Sequence, residues 1–226
     1  LLRKKRRGLL KALQTEVTTD SALVQVVLQS PSEGWMSEAA PSVRRALAPA
    51  LSPFIAGYVD IPDDKRPPSR AFKKLKEAIA VFDLPVTRGM MCADLGACPG
   101  GWTFVLREHG CHVLAVDRSP LDTALMRDSK ITFEPGDAFR WTPKKPVDLM
   151  VCDVIASPDK TVSLIKRWVG EGLCHALCCT IKFKGLPDLD ALVAVRSLLA
   201  AHCSRYGGKQ LTHNKNELTV FGLLRN

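Results

Sequence analysis

The glycine-rich stretch Asp94–Trp102 constrains the fold of this chain more than any other feature of its sequence. It follows a short apolar run and precedes a run with helical spacing, so the pattern predicts a strand, a tight loop and a helix in that order. Glycine lets the backbone turn sharply and approach a ligand closely. Open α/β sheets bind ligands at loops of this kind, where a parallel strand ends and a helix begins.

The residues of this loop exclude two phosphate-binding motifs. A P-loop requires a lysine at the position where counting from Gly96 places Trp102. The dinucleotide fingerprint requires its second glycine where Cys98 stands. The pattern that remains is an acid, Asp94, followed by Gly96 and then by Gly100.

The sequence Asp-Leu-Gly-Ala-Cys-Pro-Gly-Gly-Trp at 94–102 resembles motif I of the S-adenosylmethionine-dependent methyltransferases. More narrowly, it is similar to the loop of the FtsJ-like RNA 2′-O-methyltransferases, and within them to the RlmM branch, which acts on 23S ribosomal RNA. The resemblance implies a Rossmann-like class I α/β fold, with a mostly parallel twisted sheet, a C-terminal antiparallel hairpin and helices on both faces. It implies S-adenosylmethionine as the cofactor, bound by the loop residues Asp94, Gly96, Cys98, Pro99, Gly100, Gly101 and Trp102.

Three more predicted strands end in or next to an acid. Because parallel strands end at the same edge of a sheet, these acids are expected beside the glycine loop. Asp117 follows the loop by about 20 residues, where a carboxylate can accept hydrogen bonds from both ribose hydroxyls of a nucleoside cofactor. Arg118 is expected to lie over the cofactor. The methyltransferase resemblance places Asp137 at the adenine amino group and Asp153 at the methyl end.

A lysine, Lys182, interrupts the apolar strand predicted at Ala176–Phe183. Burying a lysine is costly unless it is paired, so this side chain needs partners. Cysteine and histidine neighbours in the same strand do not predict a zinc site, because alternate strand residues face opposite sides of the sheet. We therefore expect no metal.

An amphipathic helix is predicted between Ser69, as its N-cap, and Asp83. One of its lysines is expected to be a second functional lysine beside Lys182. Helical spacing places Lys74 and Lys76 on opposite edges of the apolar face and Lys73 outward, so geometry does not choose between the first two. The segment Ser-Arg-Ala-Phe-Lys-Lys-Leu at 69–75 resembles the family's Ser-Arg-Ala-x-x-Lys-Leu, and that match selects Lys74.

The resemblance assigns a catalytic tetrad. Lys74, Asp153, Lys182 and Glu217 match the Lys-Asp-Lys-Glu tetrad of the FtsJ-like enzymes. Such an enzyme must hold a ribose hydroxyl beside the methyl group and remove or neutralise its proton. A neutral Lys182 could act as a base, and a charged Lys182 could steer the oxygen and stabilise a developing alkoxide. We favour the charged role, with Lys74 helping to place the hydroxyl.

The remaining elements complete the predicted methyltransferase domain at 69–226. Helices are predicted at Thr161–Gly170 and Leu189–His202, and a closing hairpin at Lys209–His213 and Glu217–Leu224. Residues 1–68 are predicted to form a separate segment, containing a basic cluster at Arg3–Arg7, a hairpin that begins at Ala22–Gln29, and a proline-rich linker with a short helix at Val43–Ala48. This segment is too short for the RNA-binding module of the RlmM branch, so a remnant or connecting piece is expected. The chain begins with Leu1, which permits it to be a fragment.

Charge and cysteine usage bear on the partner and the compartment. Lys and Arg outnumber Asp and Glu by 32 to 23, a formal net charge of +9. This excess fits either a solvated basic surface or a polyanionic partner, and the resemblance favours RNA.

Eight scattered cysteines predict free thiols in a reducing compartment, and no apolar run reaches the roughly 18 residues of a membrane span. A cytoplasmic protein without a membrane partner is expected, with a monomer favoured. The basic N-terminus also permits an organellar transit peptide.

Two other functions remain open at this stage. The chain could be a cofactor-binding RNA chaperone that has lost catalysis, although the complete tetrad argues against this. It could be a small-molecule methyltransferase, although these enzymes lack the tetrad and rarely carry such a basic charge.

Overall fold

The computed structural model of this protein describes residues 22–43 and 59–225, in a chain that divides into two compact units, Leu1–Val59 and Asp60–Asn226. In the first unit, strands β1 (Leu23–Leu28) and β2 (Gly34–Ala39) form an antiparallel hairpin, which confirms the predicted hairpin. The basic cluster at 3–7 and residues 44–48 of the predicted short helix lie outside the described residues. The domain boundary drawn at 68/69 stays a prediction.

The second unit alternates strands and helices along the chain. In order they are α1 (Phe72–Phe82), β3 (Met91–Leu95), α2 (Gly101–Glu108), β4 (His112–Asp117), α3 (Thr123–Met126), β5 (Ile131–Pro135), β6 (Val147–Cys152), α4 (Pro158–Gly170), β7 (Cys174–Lys182), α5 (Leu189–His202), β8 (Cys203–Lys209) and β9 (Glu217–Leu224).

The strands of the second unit form one seven-stranded sheet in the order β5-β4-β3-β6-β7-β9-β8. The five strands from β5 to β7 are parallel, and β9 and β8 complete the sheet in antiparallel pairing. The mostly parallel sheet and the closing antiparallel hairpin confirm the predicted fold class. From the neighbouring strands β3 and β6 the chain proceeds outward in opposite directions, to β4 and β5 on one side and to β7 on the other. Ligands bind at such a switch point in open α/β sheets.

Helices cover both faces of the sheet and produce two apolar cores. Successive residues of β3 divide between them, since Cys92 packs with α1 and α2 whereas Ala93 packs with α4 and α5. Such alternation is the period of a strand. Both faces are buried, which is why the strands are apolar runs rather than alternating ones.

The first strand of the closing hairpin differs from its predicted position. It was expected at Lys209–His213 but spans Cys203–Lys209, and residues 210–216 form the loop to β9. Gly207 and Gly208 have low strand propensity, so the sequence pattern favoured the residues after them. The position of β8 in the chain is instead determined by its antiparallel pairing with β9.

Two helices also begin at residues other than those predicted. The N-cap of α1 is Ala71 rather than Ser69, and it makes no side-chain capping hydrogen bond. Helix α4 begins at Pro158, earlier than the predicted Thr161. Proline is favoured at the first position of a helix because its missing N–H would have no intrahelical partner there.

Candidate active site

The glycine loop joins β3 to α2 at the carboxyl edge of the sheet. Gly96 has φ of 75°, in the left-handed region, and a Cβ built on it would lie 3.0 Å from the Cβ of Val154. Gly100 has φ of 112° and is the N-cap of α2. Any other residue would be strained at both positions. The chain thus requires glycine here for reasons of backbone geometry and close packing.

A cavity of about 1030 Å³ opens at this edge. Its wall includes four of the predicted cofactor residues, Gly96, Asp117, Arg118 and Asp137. The rest of the lining comes from segments 138–140 and 154–157, side chains of α4, and the residues Gly136 and Lys184. The volume is at the upper end of the range of small-molecule and cofactor sites, so a nucleoside cofactor fits with space to spare.

The acids on the cavity wall are already oriented by hydrogen bonds. Asp117 accepts from the backbone N–H of Cys98 (3.0 Å) and of Ser119 (2.9 Å), one on each carboxylate oxygen. A carboxylate oxygen has more than one acceptor site, so hydroxyl donors can be added. This local geometry fits a ribose, whose two hydroxyls need an acceptor held at a fixed position.

Asp137 pairs with Arg118 across the cavity rim. Its Oδ2 lies 2.7 Å from Nη2 of Arg118, and its Oδ1 accepts from the backbone N–H of Phe139 at 2.9 Å. These two contacts hold the pKa of the Asp137 carboxyl below its ordinary value, the backbone hydrogen bond being the larger cause. Arg118 itself is exposed at the cavity wall.

Asp94 lies behind the loop rather than on the cavity wall. It is only 1% exposed and accepts a hydrogen bond of 2.6 Å from Oγ1 of Thr103 in the first turn of α2. Burial, with smaller contributions from the charges of Asp153 and Asp117, raises the pKa of Asp94 to about 7 against the opposing hydrogen bonds from Thr103. The structure therefore places this residue where it joins the end of β3 to α2.

The other loop residues predicted to bind the cofactor also lie off the cavity wall. Trp102 is buried in the core, and its indole N–H donates to the backbone oxygen of Ala71 at 2.9 Å. Gly100 and Gly101 are buried, whereas Cys98 and Pro99 are exposed. Trp102 thus connects α2 to the start of α1 and so helps to position the lysines of that helix.

The four predicted tetrad residues lie together. Nζ of Lys74 is 2.5 Å from Oε1 of Glu217 and 3.2 Å from Oδ2 of Asp153. Nζ of Lys182 is 2.9 Å from Oδ1 of Asp153 and 3.8 Å from Oε2 of Glu217. Two ammonium groups thus alternate with two carboxylates, which balances four partly buried charges and satisfies most of their hydrogen-bonding groups.

The sheet brings these residues together from distant parts of the chain. Lys182 and Glu217 stand directly opposite each other in the antiparallel pair of β7 and β9. Asp153 follows β6, which is the parallel neighbour of β7 on its other side. Lys74 reaches them from α1. The backbone oxygen of Asp153 also accepts from Lys182 at 2.8 Å, so this lysine is held at two points of one residue.

Thr180 is a member of the site that the sequence reasoning missed. Its hydroxyl donates to Oδ1 of Asp153 at 2.7 Å, and its side chain is fully buried. Thr180 precedes Lys182 by two residues, so both face the same side of the sheet. The two-residue period of a strand was therefore the feature of the sequence that could have identified Thr180 as a neighbour of Lys182.

The other lysines of α1 are paired elsewhere. Lys73 is 8% exposed, donates to the backbone oxygen of Ile61 at 3.2 Å and lies 2.5 Å from Oδ1 of Asp63. The expectation that it points outward was wrong, because the chain before the helix covers this face. Lys76 lies 2.7 Å from Oε2 of Glu108, the last residue of α2, and is absent from the tetrad.

The described residues contain neither a cluster suited to a metal ion nor a helix suited to a membrane. Within 22–43 and 59–225, no group of three or more His, Cys, Asp or Glu side chains is arranged to hold a metal ion. In the same part of the chain, no helix has both the length and the apolar character needed to cross a membrane.

Comparison with known proteins gives a family for this arrangement. The sequence-family model of the FtsJ-like methyltransferases matches residues 67–201 of this chain. A ribosomal RNA large subunit methyltransferase M of Azoarcus sp. (strain BH72) is 29% identical over 214 residues, which are 90% of this chain and 57% of that protein. The protein with the same description from Alkalilimnicola ehrlichii is 35% identical over 184 residues, 77% of this chain and 51% of its own. The chain thus spans about half the length of these curated relatives.

The fold has counterparts among solved structures. A Plasmodium falciparum chain described as a ribosomal RNA methyltransferase superposes with a TM-score of 0.53 at 14% identity, covering 69% of this chain and 97% of the other. At such an identity the likeness concerns the fold alone.

Proposed function

This chain belongs to the FtsJ-like methyltransferases, and from that premise we propose that it transfers the methyl group of S-adenosylmethionine to a ribose 2′-hydroxyl of large-subunit ribosomal RNA. The single observation that carries the proposal is the meeting of Lys74 and Lys182 with Asp153 and Glu217, in which each ammonium nitrogen lies within 3.8 Å of both carboxylates. This cluster belongs to the same sheet edge as the cavity, because Asp153 is followed directly by the lining residue Val154.

The cavity suits the cofactor of the family. The loop at Gly96 brings backbone close to the cavity, and Asp117 offers two oriented oxygens to a ribose. When bound, S-adenosylmethionine supplies an activated methyl carbon on a positively charged sulfur, so the protein need not activate the donor.

The work left to the chain is to hold the acceptor hydroxyl and to handle its proton. The three N–H groups of Lys182 have two close acceptors, the backbone oxygen and Oδ1 of Asp153, while Glu217 is farther away at 3.8 Å. One N–H is therefore available to a substrate oxygen. A hydrogen bond from an ammonium group would orient the hydroxyl and stabilise the negative charge that develops on it.

The hydroxyl proton then needs an acceptor. Asp153 and Glu217 are the carboxylates within reach of Lys182, and each can take a proton when the O–C bond forms. Lys74 contacts both carboxylates, so it can hold them in place while their charge changes. In this proposal Lys182 steers the oxygen and Lys74 positions the two acids.

The charge around the cavity supports a polyanionic acceptor. Five basic side chains line it, namely Arg118, Arg140, Lys160, Arg167 and Lys184. Together with the net charge of +9, they provide contacts for phosphates that do not depend on the base sequence. We extend the proposal to a cytidine of 23S ribosomal RNA that is not fully assembled into the subunit, which the resemblance to the RlmM branch implies.

The experiment is transfer of a labelled methyl group. The protein is incubated with S-adenosylmethionine carrying a tritiated methyl group and with in vitro transcribed 23S ribosomal RNA, and the modified nucleotide is located by mass spectrometry after nuclease digestion. Label on a ribose, at a phosphodiester bond that resists alkali, supports the proposal. Label on a base, or label confined to small molecules, contradicts it. Cofactor binding without transfer would instead support a chaperone without catalytic activity.

A further inference from the structure

Glu77 is a buried carboxylate of α1 that the proposed chemistry does not use. It is 1% exposed. Its Oε1 accepts from the backbone N–H of Thr212 at 2.7 Å, and its Oε2 accepts from the backbone N–H of His213 at 3.0 Å. Nδ1 of His213 lies 2.6 Å from the same Oε2. A buried carboxylate is costly unless it is hydrogen-bonded, so these three contacts account for its presence in the interior.

The residues that Glu77 contacts belong to the loop between β8 and β9, residues 210–216. Glu217, the first residue of β9, follows this loop directly. Within it, the side-chain amide of Asn214 donates to the backbone oxygen of Glu217 at 3.2 Å and to Oγ1 of Thr219 at 2.9 Å. The backbone N–H of Lys215 donates to Oε1 of Glu217 at 3.4 Å. The conformation of this loop therefore sets both the backbone and the carboxylate of Glu217.

Glu77 and Lys74 are three residues apart on α1 and so share one face of the helix. Lys74 contacts the Glu217 carboxylate at 2.5 Å, while Glu77 contacts the loop that leads to it. The helix itself is fixed in the core by Phe72, Leu75 and Ala78. One rigid helix thus holds the start of β9 at two points.

We propose that Glu77 is a positioning residue for methyl transfer: it fixes the 210–216 loop and thereby places the Glu217 carboxylate against Lys74 and Lys182. This inference rests on the proposed function, because the reaction is what requires Glu217 at that place. A misplacement of about 1 Å at a reacting group can lower a rate by about a hundredfold. Loss of the Glu77 contacts therefore acts on the rate of transfer more than on cofactor binding, since Glu77 does not line the cavity.

The test compares Glu77→Gln with Glu108→Gln. In the first variant an amide NH₂ replaces an oxygen that accepts from Thr212 or His213, so the loop must shift. The control removes the carboxylate of Glu108, which pairs with Lys76 of α1 and with Arg66 and does not contact the loop. The measurements are single-turnover methyl transfer to in vitro transcribed 23S ribosomal RNA, calorimetric affinity for S-adenosylhomocysteine, and amide hydrogen exchange of residues 211–217.

We expect Glu77→Gln to lower the single-turnover rate constant by at least about tenfold, to leave the affinity for S-adenosylhomocysteine within about twofold of wild type, and to speed exchange in the loop. The control should match wild type in all three. His213→Ala removes one donor and leaves both backbone contacts, so it should give a smaller loss of rate in the same direction. It also serves as the test if Glu77→Gln does not fold.

Two results would overturn the proposal. One is an unchanged rate constant with a smaller amplitude, because a fold-stabilising role alone reduces the number of active molecules without slowing those that remain. The other is unchanged exchange at residues 211–217, because Glu77 would then not hold the loop. A wild-type protein that transfers no methyl group overturns the proposed function and the catalytic part of this inference, while hydrogen exchange still decides whether Glu77 fixes the loop.

Discussion

At the scale of single residues, Lys182 is the side chain whose loss tests the proposed chemistry most directly. It ends a mostly apolar strand, and its ammonium group lies between Asp153 and Glu217. We expect Lys182→Ala to keep the fold and the cofactor affinity, because Lys74 still pairs both carboxylates. Methyl transfer to RNA should fall by at least about a hundredfold, measured by single-turnover labelling, since losing one donor that stabilises a developing oxyanion costs about that much.

Lys182→Arg is the matched variant and should not restore transfer. Arginine keeps the charge but is bulkier and spreads that charge over a planar group, so it does not place an N–H where the compact ammonium group of Lys182 does. Transfer at the wild-type rate by Lys182→Ala would show that the 2′-hydroxyl assignment is wrong.

Asp94 gives a prediction about pH and stability. Its pKa rises from the ordinary value of 3.8 to about 7 in the folded protein, chiefly because the carboxyl is buried. Between these two values the folded state binds more protons than the unfolded state, so this group makes the free energy of unfolding decrease as pH rises from about 4 to about 7. Asp94→Asn cannot ionise and keeps an oxygen to accept from Thr103. Its stability relative to wild type should therefore increase between pH 5 and pH 8, on the order of 3 kcal/mol.

Urea unfolding of the cofactor-free protein at several pH values measures this difference, and subtraction cancels the titration of the other groups. Asp190→Asn is the control, because it removes a carboxylate that is exposed in the first turn of α5 rather than buried. A difference between Asp94→Asn and wild type that stays constant across the range would mean that Asp94 is not protonated in the folded state near neutral pH.

At the scale of secondary-structure elements, Lys74 and Lys76 of helix α1 have different partners and are expected to have different roles. Lys74 faces two carboxylates of the tetrad, whereas Lys76 pairs with Glu108 at the surface. Lys74→Ala leaves Asp153 and Glu217 with Lys182 alone, so we expect at least about a tenfold loss of methyl transfer. Lys76→Ala removes a surface ion pair worth about 0–1 kcal/mol, so its rate should stay within about twofold of wild type. Parallel rate measurements check both, and equal effects would contradict the assignment of Lys74.

At the scale of the whole molecule, the net charge of +9 predicts how RNA binding responds to salt. Each phosphate contact releases counterions, so the affinity for 23S ribosomal RNA should fall steeply as salt rises, whereas the affinity for S-adenosylhomocysteine should change little. Deleting residues 1–8 removes the basic cluster of the N-terminus and should flatten the salt dependence. Filter binding over a range of salt concentrations measures the slopes. Equal slopes with and without these residues would show that the cluster does not contact RNA.

The sequence by itself determined the order of the elements and the edge of the sheet where the ligand cavity lies. Apolar runs that end in Asp94 and Asp117, separated by glycines and a helical run, permit few folds other than a mostly parallel α/β sheet. These signals are local, since strand period, helix period and turn chemistry act over a few residues. The choice of Lys74 over Lys76 came from the resemblance to a family, because both lysines flank the apolar face of α1.

Only the tertiary structure decided which of these residues meet. The register of β7 with β9 places Lys182 opposite Glu217, and the packing of α1 brings Lys74 to them. The tertiary structure also determines that β8 begins earlier in the chain than the strand propensities of its residues favour. It places Asp94 behind the glycine loop and brings Glu77 into contact with the 210–216 loop. These outcomes depend on contacts between segments far apart in the chain. Propensity and period carry no information about such contacts, because the free energy that settles them comes from burial and pairing across the whole sheet.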